Sequence, residues 1–455
     1  MKKRRKKKSK RVEPLHVIEP NAGGIDIGST EIYIAVPHDR DSDPVRCFET
    51  FTEDLHHAAK WLKECGIESV AMESTGVYWI PIFQILETYE IEVVLVNARH
   101  VKNVPGRKTD VLDCQWLQYL HSVGLLRGSF RPPQEVCVVR SILRHRDNLV
   151  KMSATHTQHM HKALTQMNLQ IHHVISDITG TTGLAILDAI LAGERDPKKL
   201  AELKDRRIKA DEATIEKSLV GDYRSEHLFT LQQSLKMYRF YRGMINDCDI
   251  EIEKYLEKFK SQIDSEISPP PPETAKRKKK QRNEPNFDLR THMYRILGTD
   301  LIQITGVNVQ TTHVIFTEIG PDVSKFPTGD NFASWLGLCP NNKITGGKVF
   351  SSKTKTCANR VANVLRLAAQ SLWHSQSYLG IYFRRMRARH GAPKAITATA
   401  HKLARIIYHL IKYKEKFDES IFAIQEEQHK KRQLKRMKQQ AHSMGFQLVP
   451  IELQG

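Results

Sequence analysis

Four carboxylates in the first quarter of the chain have the types and spacing to hold a divalent cation: Asp26, Glu73, Asp110 and Asp113. Asp26 lies in Gly23-Gly24-Ile25-Asp26-Ile27-Gly28-Ser29-Thr30, within an apolar run that continues through Ile32-Tyr33-Ile34-Ala35-Val36. Glu73 ends a second run, Ser69-Val70-Ala71-Met72, just before Ser74-Thr75-Gly76. Asp110 and Asp113 follow a third, Val93-Val94-Leu95-Val96, within Lys108-Thr109-Asp110-Val111-Leu112-Asp113. Three residues along a helix turn through roughly 300°, so these two carboxylates share one face. Acids delivered from strand ends and one helix make an all-oxygen site suited to Mg²⁺ or Mn²⁺, and hence to metal-assisted phosphoryl chemistry. The bland reading, ordinary surface acids at strand ends, is weak for Asp26 between Ile25 and Ile27 and stronger for Asp110.

The elements that must position these acids follow from periodicity. Residues 17–128 alternate strand-like and helical runs, the pattern of an α/β domain, with helices expected over 54–65, 79–89 and 111–126. From 129 to 265 apolar residues recur at three- and four-residue steps, as in Leu228, Leu231, Leu235, Tyr238, Tyr241 and Ile245. Such steps predict extended helices and a coiled coil, interrupted near Gly180-Thr181-Thr182-Gly183. A Pro- and Lys-rich linker over 266–290 contains four consecutive prolines and Lys276-Arg277-Lys278-Lys279-Lys280, which cannot build a core. A helical domain over 291–424 and a basic tail over 425–455 complete the chain.

Charge narrows the partner. Lys and Arg number 70 against 51 Asp and Glu, a net charge of +19, which favours a polyanion, nucleic acid above all. No apolar stretch approaches the roughly 18 residues of a spanning helix, so no membrane partner is expected. The arm over residues 1–16 opens Met1-Lys2-Lys3-Arg4-Arg5-Lys6-Lys7-Lys8 with no apolar segment behind it, unlike a secretory signal. A phosphate-gripping arm and a solvated tail both fit it. The 7 cysteines lack the spacing of a zinc site or a disulfide framework and point to a reducing compartment.

Two further segments carry signals. Residues 301–312 (Leu-Ile-Gln-Ile-Thr-Gly-Val-Asn-Val-Gln-Thr-Thr) are similar to a helix-hairpin-helix, whose backbone amides hold phosphate. Downstream, Trp335-Leu336-Gly337-Leu338-Cys339-Pro340 leads to Ile344-Thr345-Gly346-Gly347-Lys348, where a Gly-Gly beside lysine and hydroxyls lets backbone approach a phosphate. The spacing is not that of a P-loop, so nucleotide binding is not implied. Arg360 and Arg366, on the helix expected over 359–372, are either phosphate clamps or members of surface ion pairs.

Taken together, Gly24-Ile25-Asp26-Ile27-Gly28, Met72-Glu73-Ser74-Thr75-Gly76-Val77-Tyr78-Trp79, Asn97-Ala98-Arg99-His100 and the Asp110/Asp113 segment resemble a known family, as do Ile304-Thr305-Gly306-Val307 and the Leu-Gly-Leu-Cys-Pro block. The chain resembles the DEDD transposases of bridge-RNA-guided insertion-sequence recombinases, related to the Piv DNA invertase. The resemblance implies an RNase H-like (RuvC-like) catalytic domain, a coiled-coil middle and a helical transposase domain. It implies a tetrad of Asp26, Glu73, Asp110 and Asp113 binding Mg²⁺ or Mn²⁺, and a hydroxyl nucleophile that forms a covalent link to DNA. It further implies target and donor DNA chosen by a guide RNA that the element encodes, and a tetramer built as a dimer of dimers. The cellular setting implied is bacterial, cytoplasmic and nucleoid-associated. The family's serine position is occupied by Thr345, whose β-methyl crowds the hydroxyl, so slower chemistry is expected; Ser351 and Ser352 are fallback nucleophiles. Arg99, Lys102, Arg107, Lys108, Lys348, Lys353 and Arg360 are the expected nucleic-acid contacts.

Three rivals stay open on sequence alone. Gly-Ile-Asp-Ile-Gly-Ser-Thr also opens actin-like sugar kinases, although their further glycine-rich loops are not found here. A RuvC-like Holliday-junction resolvase or nuclease would hydrolyse DNA with water and make Thr345 irrelevant. A nucleic-acid scaffold with a relic site would tolerate loss of Asp26.

Overall fold

The computed structural model describes residues 16–74, 76–97, 110–263, 269–270, 283–355, 359–447 and 449, with the side chains of 110, 423–426, 429 and 430 outside that description. The chain forms two compact units, Met1–Arg131 and Pro132–Gly455.

In the first unit, β1 (Ala22–Ile27), β2 (Glu31–Ala35) and β3 (Val45–Glu49) form an antiparallel meander. Helix α1 (Thr52–Glu64) then crosses to β4 (Ser69–Glu73), and α2 (Trp79–Thr88) crosses to β5 (Glu92–Val96). Helix α3 (Asp110–Ser122) follows. The strand order is β3-β2-β1-β4-β5, with β4 parallel to both β1 and β5, an arrangement consistent with an RNase H-like fold. Period-2 alternation sorts the two faces of the sheet. Ile25, Ile34, Val70, Met72 and Leu95 are buried in one core with Leu55, Leu62, Phe83 and Leu86 of α1 and α2. Val94 and Val96 turn the other way, onto Trp116, Leu117 and Leu120 of α3. The expected helices over 54–65, 79–89 and 111–126 correspond to α1, α2 and α3.

The second unit opens with α4 (Gln134–Gln166) and holds α9 (Ser225–Glu257) against it. Leu149 packs with Ile245, and His156 stacks on Tyr241, so the two helices run antiparallel. The helical steps in the sequence left that direction open. Between them stand four short helices: α5 (Ile171–Val174), α6 (Thr181–Leu191), α7 (Pro197–Glu202) and α8 (Glu212–Ser218). Caps divide this stretch. Asp196 precedes Pro197 and accepts from Lys198 N, and Asp211 accepts from Thr214 N at 2.6 Å.

The chain continues with α10 (Leu289–Leu297), α11 (Val309–Ile319), α12 (Gly329–Trp335) and a hairpin of β6 (Lys343–Thr345) and β7 (Lys348–Ser351). Helices α13 (Arg360–Ser371), α14 (Tyr378–His390), α15 (Ala392–Tyr413) and α16 (Ile421–Ser443) complete it. The hairpin departs from the purely helical reading of 291–424. Its cause was in the sequence: Gly346-Gly347 between two short alternating runs is a two-residue hairpin signal, and both glycines take positive φ, 56° and 76°. In the segment similar to a helix-hairpin-helix, the first arm is a single 3₁₀ turn, Leu301–Gln303. Gly306 lies against α13, where an added Cβ would stand 3.0 Å from Ala368 O.

One ion pair lies inside the α4–α9 seam. Arg146 Nε donates to Asp249 Oδ1 at 2.5 Å and Nη2 to Oδ2 at 3.2 Å, with side chains 5% and 3% exposed. Asn286 N donates to the same carboxylate at 3.3 Å. Removing one partner strands a buried charge, which costs about 3–5 kcal/mol, whereas replacing both with apolar residues is often neutral. Arg146→Ala and Asp249→Ala are each expected to lower the urea midpoint of the second unit by that order. Arg146→Met with Asp249→Leu should restore most of it. Single variants as stable as wild type in urea titration would show that the pair carries no such load.

Candidate active site

The position of Asp26 is set by β1. Its neighbour Ile25 is fully buried against α1 and α2, so Asp26 and Gly24 turn to the opposite face, beneath α3. On the parallel partner, Ile25 stands opposite Met72, and Asp26 and Glu73 are the next residues of the two strands. Glu73 is paired with Val96, whose side chain packs on α3, so Glu73 lies on the α3 face as well. Asp26 and Glu73 thus each follow directly on the last paired residues of β1 and β4, on the same face of the sheet.

Helix α3 brings the others. It begins at Asp110, with Asp113 in its first turn, where exposed backbone N–H groups favour negative charge. The helix lies unusually close to β1: a Cβ on Gly24 would stand 2.3 Å from both Cys114 O and Gln118 N. Gln118 Nε2 donates to Ala22 O at 3.2 Å, and Ile18 N donates to Ser122 O at 2.7 Å, which tie the helix along the strand. Cys114, one residue past Asp113, is fully buried. Its thiol is pushed up to about 12, first by burial, with the charges of Asp26 and Asp113 adding to it. Those two acids, 87 positions apart by their numbers in the sequence, therefore act on one thiol. Asp26, Glu73 and Asp113 are all half-buried.

The donor set is carboxylate oxygen, the chemistry of a hard divalent cation. Among the described residues no group of three or more His, Cys, Asp or Glu side chains converges on one point, and the Asp110 side chain is not among those described. Arg99, Lys102, Arg107 and Lys108 lie outside the described residues.

In the second unit Thr345 ends β6, exposed, and pairs with Lys348 across the Gly346-Gly347 turn. Lys348 and Lys353 are exposed, and Ser351 Oγ accepts from Lys353 N at 3.4 Å. Arg360 is in an ion pair with Asp147 and lies 3.9 Å from Glu318. Arg366 Nη1 donates to Asn363 at 3.3 Å. Glycine 24 is the positioning residue that reading the sequence missed. Its signal was its place two residues before Asp26, on the same strand face, where a missing Cβ admits a helix.

Gly24→Ala drives a methyl into the backbone of α3, and overpacking of this kind costs roughly 1–3 kcal/mol. The variant is expected to melt lower and to lose activity while all four acids remain. Its Cys114, buried in the wild type and therefore expected to resist thiol reagents at pH 8, should become labelled as α3 lifts. Mass spectrometry after iodoacetamide treatment reads this site by site. Unchanged Cys114 labelling together with unchanged melting would show that the close approach is dispensable.

A family model for a DEDD transposase of the IS110 type matches residues 23–169. A second, described as Transposase IS116/IS110/IS902 family, matches residues 299–383. No curated protein matches the chain. The first match takes in the sheet, α3 and all four acids, and the second takes in the hairpin with Thr345. Both models describe one kind of DNA-processing enzyme, and the chain belongs to it: the DEDD transposases of the IS116/IS110/IS902 family.

Proposed function

We propose that this transposase is an RNA-guided DNA recombinase of an insertion sequence, cutting and rejoining strands through a covalent protein–DNA intermediate. The observation that carries the reading is that Asp26 and Glu73 directly follow the paired Ile25 and Met72 on neighbouring parallel strands, on the face covered by the helix that starts at Asp110 and carries Asp113. Asp26 and Glu73 on the face that α3 covers, with Asp113 in the first turn of that helix, are oxygen donors of the kind that suits Mg²⁺ or Mn²⁺, which when bound would neutralise charge on the scissile phosphate; Asp110 would complete the set. Asp26 and Glu73, anchored on central strands, hold their oxygens with little freedom. Asp113 is held by a helix clamped to β1.

Thr345 supplies the nucleophile. Its Oγ1 attacks phosphorus, the phosphodiester bond to the leaving deoxyribose oxygen breaks, and the hydroxyl proton passes to solvent as the leaving oxygen gains one. The phosphodiester energy stays in the threonyl–DNA bond, so a second hydroxyl can reverse the step and rejoin strands without ATP. Exposure of the hairpin supports this role, because an attacking hydroxyl has to meet DNA. Target and donor choice rests with base pairing to an RNA that the element encodes, and the working form is a tetramer of two dimers. Lys348, Lys353 and, from the segment before α3, Arg99, Lys102, Arg107 and Lys108 contact nucleic acid. Arg360 contributes where its guanidinium reaches past Asp147.

The test is a denaturing-gel assay for covalent adducts, using the protein with RNA co-expressed from its locus, DNA bearing the element's joined ends, and Mg²⁺. An adduct is expected with wild type and lost in both Thr345→Ala and Asp26→Asn. Thr345→Ser, lacking the crowding β-methyl, should form it faster. An adduct that survives Thr345→Ala would move the nucleophile to Ser351 or Ser352. Cleavage with no adduct would identify a water-using nuclease.

A further inference from the structure

The β6–β7 hairpin carries a feature that the attack by Thr345 does not use. Its strands are out of simple register: Lys343 pairs with Ser351 but Ile344 with Val349, which leaves Phe350 as an extra, bulged residue. A bulge re-aims a side chain, and such bulges concentrate beside active sites. Phe350 is 84% exposed, the most exposed of the large apolar side chains among the described residues, with Ile344 at 63% and Val349 at 56% beside it. Burying a phenylalanine ring is favourable, so a ring held in water on a two-stranded hairpin is set to meet a partner.

The surroundings say which partner. Lys343 and Lys348 on the hairpin, and Lys353 and Lys355 in the segment that follows β7, lie within seven positions of Phe350 and are exposed. No Asp or Glu occurs anywhere between Asp330 and Glu415. An apolar protein surface does not need that charge, whereas a polyphosphate does. Apolar side chains inserted between base pairs are a recurring means of unstacking and kinking DNA, with lysines holding the flanking phosphates.

We propose that Phe350 is a wedge that enters a base step of the DNA next to the phosphate attacked from the same hairpin. The proposal rests on the reading of Thr345 given above, for it is the shared hairpin that brings the ring to the DNA being cut. Inserting the ring separates two stacked bases, bends the strand and exposes the phosphate between them, while the lysines fix the register along the backbone. Phe350 is a positioning residue: it touches bases, not the reacting atoms.

The experiment uses the full chain with its co-expressed RNA, in the Thr345→Ala background so that strands stay intact. The DNA is the joined element ends with 2-aminopurine placed in turn at each position around the junction. Binding is expected to raise fluorescence several-fold at one step. Phe350→Ala should abolish that rise while anisotropy still reports the complex, and Phe350→Trp should keep it. A rise that survives Phe350→Ala, or no rise at any step, overturns the wedge. So does a Phe350→Ala protein that loses its oligomeric state in light scattering with the rise intact, which would make the hairpin a contact between copies of this chain. The adduct assay separates the two readings: a Phe350-dependent rise with an adduct indifferent to Thr345 keeps the wedge and removes the nucleophile.

Discussion

The first unit depends on one close contact, the approach of α3 to β1 over Gly24. A strand whose two faces are both covered must accept a helix on each side, and here the helix backbone comes within reach of the strand backbone. That contact does three things at once. It buries Cys114 and the ring of apolar residues around Leu117, and it closes the second face of the sheet. It also holds α3, whose first turn carries Asp113, along β1. Without it the carboxylates of Asp26 and Glu73 would stand on an open sheet, well solvated and poorly fixed. A small residue two positions from Asp26 is thus part of how that acid is placed.

The second unit solves a different problem. Two 33-residue helices that pack antiparallel present many alternative registers, since apolar seams slip easily. Arg146 and Asp249, buried and bidentate, meet in only one of them. An ion pair of this kind adds little net stability over apolar packing, so its contribution is selectivity for one alignment. The hairpin is the opposite case, a small exposed element whose shape comes from two glycines in left-handed conformation and one bulge. Its side chains stand in solvent, so its shape owes little to a core.

Much of this was legible in the amino-acid sequence. The alternation around Ile25, Ile34, Val70 and Met72 marked the strands, and the runs over 54–65 and 79–89 marked the helices that cover one face. The four acids stood out because Asp26 interrupts an apolar run, Glu73 closes one, and Asp110 and Asp113 lie at the start of a helix. The stretch between the long helices read as extended helix broken only near Gly180–Gly183, because its apolar steps continue across the caps at Asp196 and Asp211. The hairpin was overlooked for the reverse reason: its runs are only three and four residues long, too short to show a period against the helices around them.

Sequence by itself determined the identities and local elements: which residues are strand, which are helix, and that carboxylates lie at their ends. These are short-range matters of periodicity, turn chemistry and propensity, carried by neighbours a few positions apart. Only the tertiary structure decided that Ile25 pairs with Met72 just before Asp26 and Glu73, that Asp113 acts on the same thiol as Asp26, and that Arg146 answers Asp249 across 103 positions. Strand order, parallel register and helix direction are set by how whole faces bury against one another. That information is spread over every residue of those faces, so no local window of the chain contains it.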